Sequence, residues 1–158
     1  MFEIIGRYAW VLCIGATVYN FRAMGSPNDI SEAKEGVVDE AKLKIIRSRV
    51  VAAMIFPWAV MGFSQVFGGV PDVWSFFRAR DLNPYVWSWY TSVFLLTCAF
   101  AYWVFFRDGV RYAMAMNLIQ VEGFRGQLSE KWVKVIAAMG PPFSVAWVSL
   151  LWVMDVPA

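Results

Sequence analysis

The chain has 158 residues, of which 59% are hydrophobic, 18% aromatic and only 16% charged, with a mean hydropathy of +0.52. Soluble domains carry about a quarter charged residues, so this composition excludes an ordinary aqueous globule, and a formal charge of +2 is too mild to argue for nucleic acid. The sequence holds no histidine, which removes the usual axial ligand of a b-type haem, the commonest zinc ligand and the commonest general base.

Four apolar runs divide the chain. The first spans about 4–23, with Trp10, Val11, Leu12, Ile14 and Val18 at its centre. Tyr19-Asn20-Phe21-Arg22 is not a small-x-small cleavage site, so this run reads as a retained helix rather than a signal peptide. The second covers about 50–70 and contains Pro57, which removes a backbone donor and kinks a membrane helix. The third, about 85–106, is the most uniformly apolar. The fourth, about 132–154, is interrupted by Gly140, Pro141 and Pro142, which predict a helix break. Each run matches the roughly 20 residues needed to cross a bilayer. The expected fold is therefore an all-α integral membrane protein, one membrane domain over 1–158, with four crossings. Cys13 and Cys98 both fall inside runs, where a thiol behaves as a small hydrophobe.

Orientation follows from the basic residues. Arg22, Lys34, Lys42, Lys44, Arg47 and Arg49 lie between the first two runs, and Arg107, Arg111, Arg125, Lys131 and Lys134 between the last two. Only Arg7, Arg78 and Arg80 fall on the other side. The positive-inside rule then puts both long loops in the cytoplasm and both termini outside, as in a bacterial inner membrane. Trp74, Trp87, Trp89, Trp132 and Trp152 sit near run ends, where an amphipathic ring prefers the headgroup region.

The segments between runs have their own patterns. Over 29–49, Ile30, Ala33, Val37, Ala41 and Ile45 recur at helical spacing opposite the charges, and Asp29 with Glu32 forms a capping-box signature. Glu40 and Lys44 are a favourable i,i+4 pair. This cytoplasmic amphipathic helix has no stop signal before the second crossing, so the two can form one rod. Residues 71–84 read as a short interfacial helix capped by Asp72 and ended by Asn83-Pro84, with Val73, Trp74 and Phe77 toward lipid and Arg78 and Arg80 toward water. Residues 108–128 are too apolar for a free loop and are expected on the membrane surface or against another chain.

Chemistry-bearing residues are scarce. No ionisable side chain falls at the centre of any run, which argues against a proton relay or an ion-coupled transporter. Asn20 and Gln65 are the strongest polar groups within reach of the interior and are candidates for interhelical hydrogen bonds. Arg47, Arg49 and Arg107 at the cytoplasmic mouth are candidates for contacts to an anionic group or lipid headgroup. No catalytic residue, metal ligand, phosphate loop or serine nucleophile elbow is recognisable.

The stretch Arg47-Ser48-Arg49-Val50-Val51-Ala52-Ala53-Met54 corresponds in position to the second helix of small four-crossing trimeric enzymes of glutathione and eicosanoid metabolism. The chain resembles them in size and topology alone, because the asparagine and glutamate that accompany the arginine in that helix are missing. The expected function is a non-catalytic accessory or structural subunit of a larger membrane complex, with membrane lipids and other membrane subunits as partners. No cofactor of its own is expected; lipids, or lipophilic pigments and quinones belonging to neighbours, would meet its aromatic surface. The alternative is a four-helix membrane enzyme or carrier acting on a lipophilic or anionic small molecule, as a homo-oligomer.

Overall fold

The computed structural model describes residues 2–23, 40–116 and 129–154. Every regular element among them is helical: α1 (Phe2–Ala23), α2 (Glu40–Phe67), 3-10 helices at Val73–Phe77 and Ala79–Asp81, α3 (Pro84–Phe106), α4 (Gly109–Ala115) and α5 (Glu130–Val153). Three helices, Ala41–Phe67, Pro84–Phe106 and Glu130–Val153, are long and apolar enough to cross a membrane. The chain has the character of a membrane protein.

Helix α2 is 28 residues long, which at 1.5 Å per residue is about 42 Å. That exceeds a hydrocarbon core of about 30 Å, so its first turns project beyond the apolar span. Lys42, Lys44, Arg47 and Arg49 occupy those turns. Over residues 40–67 the expected single rod is present, running through Pro57 without interruption. The capping signature at Asp29 and Glu32, the rest of the amphipathic pattern up to residue 39 and the Glu40 side chain lie outside the described residues.

The helices pack in antiparallel succession, α1 on α2, α2 on α3 and α3 on α5. At one end, the start of α1 lies by the first 3-10 helix, Ser64 of α2 donates to the Tyr85 carbonyl of α3 at 3.2 Å, and Trp87 meets Trp152 edge-on. At the other end, an Arg47 guanidinium nitrogen donates to the Phe21 carbonyl, tying the start of α2 to the end of α1. Leu43 there packs with Met116, Trp103 and Tyr112.

Three expectations change. The segment 71–84 is not one continuous helix. It forms two 3-10 turns that insert Phe76 and Ala79 into a core with Met61, Val86, Tyr90 and Leu151. Asp72 does cap the first turn, accepting from the Ser75 amide at 3.0 Å, and the Tyr90 hydroxyl donates to the Phe76 carbonyl. Burial of Phe76 and that tyrosine bond favour a tight inward fold over an amphipathic helix. Asn83-Pro84 does not stop a helix but starts one: Asn83 accepts from the Tyr85 amide at 2.9 Å, and Pro84 occupies the first turn of α3, where its missing N–H costs nothing. Residues 109–116 pack within the chain, with Val110 and Ala113 of α4 against Val104, Val133 and Ala137. Residues 117–128 lie outside the described set.

The buried residues gather at the two ends of the helices. Between them, positions 93–103 of α3 and 138–150 of α5 contain no buried residue. Only 22%, 17% and 11% of the apolar windows of α2, α3 and α5 are buried. Phe56, Leu95, Phe105, Met139 and Phe143 instead face outward. Such a surface is unfavourable in water and ordinary in lipid.

Close helix approach depends on small residues. A Cβ on Gly62 would sit 2.7 Å from the Trp10 ring, whereas one on Gly15 would meet nothing. Gly62→Val is therefore expected to cost about 1–3 kcal/mol by overpacking the α1–α2 contact. Gly15→Ala should leave stability unchanged or raise it by up to about 1 kcal/mol. Denaturant unfolding in detergent micelles, followed by circular dichroism, checks the pair.

Candidate functional site

Helices α3 and α5 leave an apolar groove of about 520 Å³ between them, along the half of their length away from the basic end. The geometry starts from one glycine. A Cβ on Gly140 would lie 3.3 Å from the Thr97 Cβ, so the backbone of α5 comes close to α3 at this level. Below and beside that contact, Trp87 and Phe94 of α3 face Phe143 and Trp147 of α5.

Gly140, Pro141 and Pro142 do not break the helix, contrary to the expectation from sequence: α5 runs unbroken from Glu130 to Val153. The physical reasons are local. Proline's fixed φ is compatible with a helix, and α2 likewise continues through Pro57. The prolines withhold the donors that Ala137 and Ala138 would otherwise receive. Ser144 donates to the Pro141 carbonyl at 2.8 Å.

The groove's polarity is mostly internalised. Thr91 donates to the Trp87 carbonyl at 2.9 Å, Thr97 to Phe94 at 2.8 Å and Ser149 to Val145 at 2.9 Å, each on its own helix. The indole N–H groups of Trp87 and Trp89, whose side chains form part of the wall, are buried and meet no acceptor among the described residues. No charged side chain lines the groove. It can hold a neutral lipophilic molecule or an apolar helix face, and its polar side chains are hydroxyls and indoles. Among the described residues no three His, Cys, Asp or Glu side chains are grouped to hold a metal ion. Cys13 and Cys98 are free thiols on separate helices.

The residues singled out by sequence divide as follows. Arg47, Arg49 and Arg107 belong to one end, where Arg22, Lys42, Lys44, Arg111, Lys131 and Lys134 also lie; Arg7, Arg78 and Arg80 occupy the opposite end. Arg47 is half-buried and bonded to Phe21, while Arg49 and Arg107 are exposed. Lys134 pairs with Glu130 at 2.6 Å along the exposed start of α5. Gln65 donates from Nε2 to the Gly6 carbonyl at 3.3 Å, bridging α2 to α1, and its Oε1 is buried without a partner among the described residues. Asn20 lies on the exposed side of α1. Sequence reasoning did not single out the Thr97–Gly140 contact or the groove that Trp87 and Trp89 help to wall, because the register between two apolar helices is not written in either one alone.

No family model, curated protein or solved structure matches this chain.

The two arginines of α2 are expected to behave differently. Arg47→Ala removes a charge-assisted bond to the Phe21 carbonyl and should cost about 1.5–3 kcal/mol. Arg49→Ala should fall within about 0.5 kcal/mol of the parent, as a surface change does. Thermal unfolding in a single detergent distinguishes them.

Proposed function

We propose that this chain is a non-catalytic accessory subunit of a larger membrane complex, packing its outward apolar faces against partner helices and lipophilic molecules. One observation carries the reading: the middle levels of α3 and α5 contain no fully buried residue, although α3 is densely aromatic and Phe143 and Trp147 of α5 are exposed. Lipid can cover such a surface, but large rings are also what helix partners and lipophilic cofactors pack against. The absence of charge in the α3/α5 groove fits a packing role better than chemistry.

Within this reading α1 is the fourth crossing. Its 22 residues span about 33 Å, and it lies antiparallel to α2 with Trp10 against Gly62, so the two share a depth. The start of α1 and the end of α5 face outside, and the end rich in Arg and Lys faces the cytoplasm of a bacterial inner membrane. Helix α4 and the exposed start of α2 then lie at the cytoplasmic surface.

Capture of the tagged full chain from its native membranes in mild detergent, with blue-native electrophoresis and mass spectrometry, tests the assignment. The expected result is one complex well above the chain's own size, with larger membrane subunits at constant stoichiometry whichever terminus carries the tag. A stable solitary chain under the same conditions would overturn it.

A further inference from the structure

We propose that the α3/α5 groove is a binding site for a neutral quinone-class ligand, a flat ring carrying carbonyl acceptors on an apolar tail. The inference rests on the membrane placement above but not on any partner complex.

The groove's volume of about 520 Å³ lies in the range of small-molecule sites. Its walls include Trp87, Tyr90, Phe94, Phe143 and Trp147, which offer flat faces to a ring. The lining carries no charge, so an ionised ligand would lose its hydration without compensation.

The hydrogen-bonding groups narrow the class further. The wall hydroxyls of Thr91, Thr97, Ser144 and Ser149 already donate to carbonyls of their own helices, and the Tyr90 hydroxyl donates to Phe76. The donors left over are the indole N–H groups of Trp87 and Trp89, both buried, and that of the more exposed Trp147. A buried indole N–H ordinarily finds an acceptor. A ligand completing this wall must therefore bring acceptors. The Trp87 and Trp89 N–H groups are shielded by the protein, so engaging a ligand requires each indole to turn toward the groove. A plain acyl chain would leave these donors unmet.

The test is titration of the ¹⁵N-labelled full chain in lipid nanodiscs with decylubiquinone, observing the indole N–H resonances. The expected result is a saturable downfield shift of Trp87 and Trp89, with Trp132 at the opposite end unaffected. Ser144→Trp, or Val145→Trp if the first fails to fold, should weaken the apparent Kd at least tenfold by filling the groove. Trp87→Phe should weaken it about three- to tenfold, and Ala146→Trp, outside the lining, should leave it unchanged. Equal shifts with decylbenzene, which has no acceptor, would overturn the proposal. So would unchanged binding by the filling variants, or native mass spectra showing a retained phospholipid that the quinone does not displace. A solitary chain that binds the quinone upholds this site while removing the subunit assignment.

Discussion

The structure depends on hydrocarbon covering the middle of its helices. In that medium every backbone group must be satisfied within the segment, which is why the spans are helices and why the described chain contains no strand. It also explains an arrangement that would be inverted in water: packed residues at the two ends and aromatic side chains facing outward between them. The end cores have separate architectures. One is built around Phe76, carried inward by the 3-10 turns; the other around α4, set between the last turns of α3 and the first turns of α5.

Lipid provides no hydrophobic drive to bring helices together, so contact must come from close packing and a few polar bonds. Gly62 receives the Trp10 ring and Gly140 faces Thr97. Gln65 crosses to the Gly6 carbonyl, Ser64 to Tyr85 and Arg47 to Phe21. The remaining hydroxyls bond along their own helices, a common solution for Ser and Thr in such segments. The same economy shapes the groove: α5 comes close to α3 at Gly140, and the groove opens beside that level.

The membrane character and the presence of three long apolar helices were legible in the sequence because length and hydropathy dictate them directly. The rod from residue 40 to 67 was legible for the same reason, since no stop signal interrupts it. Asp72 was legible as a cap. Its helix was not, because the inward turn of Phe76 depends on Tyr90, fourteen residues away. The proline pair misled in the other direction. Proline in isolation forecasts a break, but its fixed φ is compatible with a helix, and α5 continues. At the candidate site, sequence supplied the aromatic content of α3 and α5. It could not supply their relative rotation, on which the groove and its unpaired indoles depend.

The most direct measurement is labelling of a cysteine ladder along α3 with a membrane-impermeant maleimide, in a Cys13→Ser background. Arg80→Cys should react from outside and Asp108→Cys only after permeabilisation, while the native Cys98, near mid-helix, should resist in both conditions. Prompt labelling of Cys98 in the intact membrane, or of both Arg80→Cys and Asp108→Cys from outside, would contradict the placement of this helix across the bilayer.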